Sequence, residues 1–243
     1  MHLIRSHNVY LFDQLKFKSI TLQYIPQASD SWSRINLVKT NAHATSLVTY
    51  LKSQGITTPE TVKQGWDHVG GIIIDAVLQA RRNYANVVRP RVTSFINSYP
   101  EASTTSGFLS LIKHQDLKDL IQFQSDNRAT IAHEIATCFS NRELETAADI
   151  RACVQLHDEK VDLMKDLRRI RGVGPKTTNY IGVLIGDPDS FAIDSRIFRV
   201  LTAAGLPDLN YRHAEEVVRE AAAILGWSVG ALDATLWKLG EKK

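Results

Sequence analysis

The chain has 243 residues, of which 44% are hydrophobic and 23% charged, and its formal net charge is +3 at pH 7. This composition is typical of a globular protein and excludes collagen-like, low-complexity and disordered chains. No apolar run approaches the roughly 20 residues that span a bilayer, and Met1–Asn8 lacks the apolar core of a signal peptide. We therefore expect a cytoplasmic protein with no membrane partner.

Apolar residues recur at three- and four-residue spacing through most of the chain, which predicts an all-α fold. Only Ser19–Tyr24 shows strand-like alternation, and the first 55 residues are the hardest to assign. A helix start is predicted at Thr58-Pro59-Glu60, where a capping residue precedes proline. The apolar segment Trp66–Ala80 predicts a buried helix. Further helices are predicted over residues 107–122, 128–139, 142–157, 160–170, 176–185, 195–204, 212–225 and 229–239.

The two cysteines, Cys138 and Cys153, are too few for a four-cysteine metal or iron–sulfur site. Without a secretion signal we expect both to be free thiols. Together with His157 they would make a poor ligand set spread over two helices. The sequence therefore predicts no metal site of its own.

Positive charge is concentrated in two segments. Between Ala76 and Pro100 the chain carries four arginines and no acid: Arg81, Arg82, Arg89 and Arg91. A second group surrounds a glycine turn: Arg168, Arg169, Arg171 and Lys176. A single run of this kind is often only a solvated face, but two of them beside a turn suited to phosphate favour a nucleic-acid partner.

The glycine turn is the segment Gly172–Thr177. It is not a Walker A loop, because Pro175 separates the last glycine from Lys176, and it lacks the third glycine and preceding strand of a dinucleotide site. It fits a helix-hairpin-helix motif, in which glycines let the backbone approach a phosphate and the next helix offers its first amides. The alternative is a turn that only joins two helices.

Residues 167–201 resemble the helix-hairpin-helix DNA glycosylases of the endonuclease III superfamily. The resemblance rests on the hairpin, the helix after it, the loop Gly186–Asp189 and an aspartate, Asp194, that opens the next helix. It extends more weakly over residues 66–205 and omits the first 55. It implies an all-α, two-lobed fold. One lobe would hold six helices over residues 66–186, and the other would combine residues 1–65 with 187–243.

The resemblance also implies two catalytic residues. Lys176 occupies the position of the nucleophilic lysine in members that combine base removal with strand cleavage. Asp194, 18 positions downstream, occupies that of the essential aspartate. An amine can attack the sugar to form a Schiff base, and a carboxylate can stabilise the positive charge that develops. The alternatives are a Lys176 that only contacts phosphate and an Asp194 that only caps a helix.

The predicted partner is duplex DNA with a damaged, modified or mismatched base, bound by a monomer. The predicted DNA-binding residues are Arg171, Gly172, Val173, Gly174, Thr177, Arg196 and Arg81. Arg81 stands where relatives carry a glutamine that fills the gap left by the extruded base, and Tyr84 beside it is either a wedge or a core residue. The resemblance implies no organic cofactor, a monovalent cation at the hairpin carbonyls and, given the missing cysteines, no iron–sulfur cluster.

Two alternative functions remain open at this point. One is a glycosylase that uses water as nucleophile, with Lys176 only gripping DNA. The other is a non-catalytic DNA-binding module that docks through the hairpin.

Overall fold

The computed structural model describes residues 31–62, 65–80 and 82–241, with side chains described from Thr40 onward. The chain divides into two units, Met1–Val38 and Lys39–Lys243. In the first unit the described part, residues 31–38, is the start of one helix, and the other described residues belong to the second unit. The strand-like segment Ser19–Tyr24 lies outside the described residues. Every regular element within them is helical, which confirms the all-α prediction.

Short connections join most consecutive helices. They are α1 (Ser31–Ser53), α2 (Val69–Leu78), α3 (Arg89–Ser98), α4 (Thr105–His114), α5 (Leu117–Leu120), α6 (Asp126–Ser140), α7 (Ala147–Gln155), α8 (His157–Arg169), α9 (Pro175–Ile185), α10 (Ser195–Ala203), α11 (Tyr211–Leu225) and α12 (Val229–Glu241). A π-helical turn, Tyr84–Val88, leads into α3, and a 3₁₀ turn, Pro100–Ser103, precedes α4.

The apolar side chains form two separate clusters. The first draws on α2 to α9 and buries the large side chains of Ile72, Ile73, Phe95, Phe108 and Phe139. The second joins the end of α1 to the segment after α9 and buries Leu47, Leu51, Phe191, Ile197 and Leu236. Each such side chain contributes about 1.5 to 3 kcal/mol by leaving water. The lobe boundaries given above stay a prediction, and residues 1–30 of that division lie outside the described part.

Helix α2 is buried along its whole length. It begins at Val69, where the His68 ring accepts a hydrogen bond from the Gly71 amide (3.1 Å). At its other end the Arg128 guanidinium donates to the carbonyls of Val77, Leu78 and Ala80 (2.7, 2.8 and 3.0 Å). The last carbonyls of a helix have no hydrogen-bond partners within the helix. Arg128 supplies a donor to three carbonyls at this end, where the sequence of α2 is apolar.

Three of the helix predictions are wrong in detail. No helix starts at Thr58–Glu60, because the Glu60 amide donates to Thr235 Oγ1 (2.9 Å) and its carboxylate pairs with Lys238 (2.6 Å), which holds this segment against α12. The predicted 107–122 helix is two helices separated by the extended backbone of Gln115. The helix predicted from residue 142 begins at Ala147, since Thr146 and Asp149 form a capping box there.

The loop from Gly186 to Ser190 connects α9 to the segment that leads into α10. Its Asp187 carboxylate is buried, pairs with Lys160 Nζ of α8 (2.6 Å) and accepts a hydrogen bond from the Ser190 hydroxyl. On the other side, the Pro188 carbonyl accepts the Gly230 amide of α12 (2.9 Å). Contacts with α8 on one side and with α12 on the other therefore fix the loop between Lys176 and Asp194.

We expect Asp187→Ala to lower the free energy of unfolding by about 3 kcal/mol, because it leaves Lys160 without its buried partner. Urea titration followed by circular dichroism measures the change. Asp189→Ala is the matched control. Its carboxylate is 73% exposed and 3.7 Å from the same ammonium, so we expect a loss below about 0.5 kcal/mol. Equal losses in the two variants would contradict a special role for Asp187.

Candidate active site

The glycine turn joins α8 to α9 as a hairpin. Gly172 adopts φ +97°, a left-handed conformation that favours glycine, and the Val173 amide donates to the Ile170 carbonyl (3.0 Å) to close the turn. Val173 is buried and anchors the turn to the first cluster. Arg171 and Gly172 are exposed at its tip.

Helix α9 begins directly after the turn. Gly174 is its N-cap and Pro175 its first residue. Gly174 has no side chain to accept a hydrogen bond, so the first-turn amides of Lys176 and Thr177 keep their protons for a ligand. With the helix dipole these amides suit a phosphate. Arginines 168, 169 and 171 precede this helix start in the chain and are exposed, and Arg169 pairs with Asp166 (2.9 Å).

Lys176 lies in the first turn of α9 and is half-buried. No ion pair holds its ammonium within the part of the chain that the structure describes. Lys118, Lys160 and Lys238 each pair with a carboxylate. The other described lysine side chains without an ion pair, Lys52, Lys113 and Lys165, are exposed. A half-buried amine without a carboxylate partner, at a phosphate-binding turn, is placed to meet a substrate.

Asp194 is the N-cap of α10. Its Oδ1 accepts hydrogen bonds from the amides of Arg196 (2.8 Å) and Ile197 (3.1 Å). The capping role that the sequence left open is thus present. It uses one carboxylate oxygen, and Oδ2 has no hydrogen-bond partner among the described residues. Asp194 is half-buried, so this oxygen remains available for chemistry.

Helix α11 contacts the segments that carry these two residues. Asn179, three residues after Lys176 and on the same face of α9, donates to the Glu215 carboxylate of α11 (2.7 Å). At the start of α11 the Tyr211 hydroxyl lies near the Asn179 side chain and the Ile193 backbone. Burial, and then the charge of Glu215, raise the pKa of Tyr211 to about 12. The helix that carries Lys176 and the segment just before Asp194 therefore meet at one polar cluster, and no direct ion pair joins Lys176 to Asp194 among the described residues.

Asp233 of α12 is a second carboxyl close to the start of α10. Its Oδ1 accepts the Ala192 amide (3.3 Å), two residues before Asp194. Removal from water, and to a smaller degree the charge of Asp194, raise the pKa of Asp233 to about 7. The sequence patterns considered above did not indicate this residue. The available signal was a single carboxyl in the mainly apolar segment Gly230–Leu236.

Asp75 is a third buried carboxyl, on α2. It accepts hydrogen bonds from the Trp66 indole (2.8 Å) and from the hydroxyls of Tyr84 and Tyr180 (both 3.0 Å). Burial raises its pKa, and the three donors oppose that rise. Tyr180 follows Lys176 by one turn of α9, so Asp75 ties the hairpin helix to α2. The Tyr84 hydroxyl is committed to this contact.

Arg196 lies in the packing between α10 and α12. Its guanidinium stacks on the Trp237 ring at 4.1 Å from the ring centre and reaches Glu241 at 3.4 Å. The structure thus gives this predicted DNA-binding residue two contacts within the protein. Arg81, the other predicted contact outside the hairpin, lies outside the described residues.

A second basic surface surrounds Phe123, in the tight turn between α5 and α6. The guanidinium carbons of Arg82, Arg91 and Arg128 lie 5.5, 6.0 and 5.0 Å from its ring centre. The preceding Gln122 has φ +50°, a rare value for a residue with a side chain. Sequence patterns indicated Arg82 and Arg91 but missed Phe123 and Arg128, whose positions depend on the packing of α6 against α2.

The other predictions for the site concern metals and thiols. Within the described residues, no group of three or more histidine, cysteine or acidic side chains is arranged to hold a metal ion. The cation at the hairpin carbonyls stays a prediction, and one of those carbonyls, that of Ile170, already accepts an amide. Both cysteines are free thiols, and burial raises the pKa of each. No helix in the described residues is long and apolar enough to cross a membrane.

The sequence also matches a family model. The model of a domain of unknown function, DUF8548, covers residues 45–241. The chain belongs to the DUF8548 family. A comparison of this DUF8548 protein with curated proteins finds no match.

A solved structure resembles the DUF8548 protein in its fold. It is an 8-oxoguanine glycosylase/lyase from Clostridium acetobutylicum in complex with double-stranded DNA containing cytosine opposite 8-oxoguanine. The TM-score is 0.53 at 14% identity, over 89% of this chain and 72% of that chain. The DUF8548 protein therefore has the fold of helix-hairpin-helix glycosylases, which confirms the predicted fold class. At this identity the likeness assigns no role to individual residues.

Proposed function

We propose that this protein is a DNA glycosylase that excises a damaged, modified or mismatched base from duplex DNA and then cleaves the strand through a lysine Schiff base. The observation that carries the proposal is the placement of Lys176 in the first turn of the hairpin helix α9, whose Asn179 binds Glu215 of α11, together with the Asp194 N-cap of α10. The fold shared with a glycosylase/lyase supports it.

The hairpin would hold the DNA backbone. The first-turn amides of α9 bind a phosphate beside the target nucleotide, and exposed Arg171 adds a charge contact. At the second basic surface, exposed Arg82 beside Phe123 supplies a further guanidinium for the duplex, while backbone carbonyls hold Arg91 and Arg128 in place. Because the reacting sugar carbon is inaccessible inside a duplex, the target base is first extruded from the stack.

Lys176 and Asp194 would then carry the chemistry. The uncharged Lys176 amine attacks C1′, and the bond from C1′ to the base breaks with its electron pair leaving on the base. The Asp194 carboxylate stabilises the positive charge that develops on the sugar and accepts the proton that the new C1′–N bond releases. The sugar ring opens to a Schiff base, and loss of a C2′ proton expels the 3′ phosphate by β-elimination.

Borohydride trapping tests this function, because it reduces the Schiff base to a stable link between protein and DNA. We expect the wild-type protein to be trapped on a duplex with an abasic site and on at least one duplex of a panel carrying uracil, 8-oxoguanine, hypoxanthine or an oxidised pyrimidine. Base release without trapping would indicate water as the nucleophile. Binding with neither base release nor trapping would leave a docking module.

The hairpin's share in binding can be measured separately. We expect Arg171→Ala to weaken duplex binding and to lower the slope of log K against log salt by about one, because one phosphate contact is lost. Fluorescence anisotropy over a salt series measures both quantities. Arg212→Ala is the control, since this arginine is 90% exposed and pairs with Glu216 on α11. An unchanged slope in Arg171→Ala would count against a phosphate contact at this residue.

A further inference from the structure

Asp233 is a carboxyl for which packing alone gives no reason. It is half-buried on α12, beside Leu232 and Leu236, which are fully buried in the second apolar cluster. Its one hydrogen bond within the described residues is a long one, from the Ala192 amide at 3.3 Å. Partial burial of a carboxyl with so little compensation costs folding free energy. Groups of this kind concentrate where chemistry needs them.

The surroundings of Asp233 favour its protonated form. Asp194 opens α10 two residues after Ala192, and its negative charge acts on Asp233. From α11, Tyr211 and Glu215 add a buried phenol and a further acid. Two cations lie near this segment: Arg196 of α10 stacks on Trp237 and pairs with Glu241, and Arg219 of α11 lies over the Phe191 ring. No cation pairs with Asp233 among the described residues.

The two carboxyls differ in their hydrogen bonds. Asp194 accepts two amides, at 2.8 and 3.1 Å. Asp233 is half-buried, accepts one amide at 3.3 Å and feels the charge of Asp194, which together favour its protonated form. A protonated carboxyl beside a candidate catalytic residue can serve as a general acid.

We propose that Asp233 is the general acid of the reaction and donates its proton to the departing base. This inference rests on the proposed function and deepens it. Lys176 and Asp194 act on the sugar, while Asp233 acts on the base. The substrates it favours are bases that leave poorly as anions and so need a proton, as normal and hydrolytically damaged purines and pyrimidines do.

The electron pair of the C1′–N bond moves onto the base, and the Asp233 carboxyl proton moves to a nitrogen or oxygen of that base. Asp233 becomes a carboxylate and takes a proton from water before the next turnover. The base leaves neutral. Cleavage of an abasic site has no base to protonate and does not use Asp233.

The experiment therefore compares base release, which needs the Asp233 proton, with trapping on an abasic site, which does not. Single-turnover base release from the best-excised duplex of the panel, and trapping on an abasic-site duplex, are measured from pH 5.5 to 9 for wild type, Asp233→Asn, Asp233→Glu and Asp208→Asn. Because the pKa of Asp233 is raised to about 7, its proton is present below that pH and lost above it. Wild-type base release should therefore fall tenfold per pH unit above about 7.

We expect Asp233→Asn to slow base release by about 100-fold or more at pH 6 and to abolish this alkaline fall. Trapping on the abasic duplex should stay at the wild-type rate, which shows that the fold and Lys176 are intact. Asp233→Glu should recover part of the rate and the alkaline fall. Asp208→Asn, which removes an exposed carboxyl beyond α10, should behave as wild type.

Three outcomes overturn the inference. Base release by Asp233→Asn at the wild-type rate would remove the acid role. Equal loss of base release and of abasic-site trapping would make Asp233 a structural residue. A wild-type protein that traps abasic sites but releases no base from any duplex would refute the glycosylase function, and the acid role with it.

Discussion

Lys176→Gln should abolish the borohydride-trapped adduct and slow strand cleavage at an abasic site by about 1,000-fold or more. Glutamine keeps a polar side chain of similar length at the start of α9, but its amide nitrogen has no lone pair available to attack C1′. The hairpin amides and the arginines around them are unchanged, so duplex affinity should fall little. The measurements are gel analysis of trapped product and anisotropy with an abasic duplex.

The control for this variant is Lys165→Gln. Lys165 is exposed on α8, shortly before the hairpin, so its removal subtracts the same charge without touching the helix start. It should be trapped as wild type is. If Lys176→Gln were still trapped, another amine would be the nucleophile and the assignment would be wrong. If it released base without being trapped, Lys176 would serve only the lyase step.

Asp194→Asn should reduce base excision by a factor of about 10² to 10⁴, because the carboxylate that stabilises the sugar cation becomes neutral. Asparagine caps helices about as well as aspartate. The two amide hydrogen bonds of α10 should survive, and the unfolding free energy should stay close to that of wild type. Single-turnover kinetics measure the loss of base excision, and urea unfolding of the same preparation measures the free energy of unfolding.

Asp194→Ala separates the two roles of this residue. It removes both the charge and the cap, so it should be as inactive as Asp194→Asn and also less stable by about 1 kcal/mol. An active Asp194→Asn with an inactive, destabilised Asp194→Ala would mean that Asp194 is only an N-cap. Equal stability of the two variants would mean that the cap contributes nothing.

Local chemistry explains which parts of the molecule could be predicted from its sequence. The hairpin is encoded within Ile170–Thr177, where glycine conformation, a buried valine and a helix start all depend on near neighbours. The N-cap at Asp194 has the same local character. The capping box that starts α7 was equally local, in Thr146 and Asp149, but the helical spacing of residues 142–157 obscured it.

The features that the sequence did not predict depend on contacts between segments that are distant in the chain. Thr58-Pro59-Glu60 has the residues of a helix start, yet α12 captures the Glu60 amide and carboxylate. Phe123 gathers arginines from two other segments, and Asp233 meets Ala192 only because α12 packs against the start of α10. No spacing rule within one segment reports such pairs. The visible signal is an isolated charge in an apolar run, which was present at Asp75 and Asp233.

The hydrogen bond between Asp75 and Tyr180 couples the local unfolding of α2 and α9. A carboxyl that is fully buried between α2 and α9 cannot lose one phenol donor without becoming a poorly compensated group in the interior. Local unfolding of the hairpin helix is therefore coupled to that of α2. Amide protons in the two helices should exchange with solvent at matching rates, as one cooperative unit. Tyr180→Phe should uncouple them.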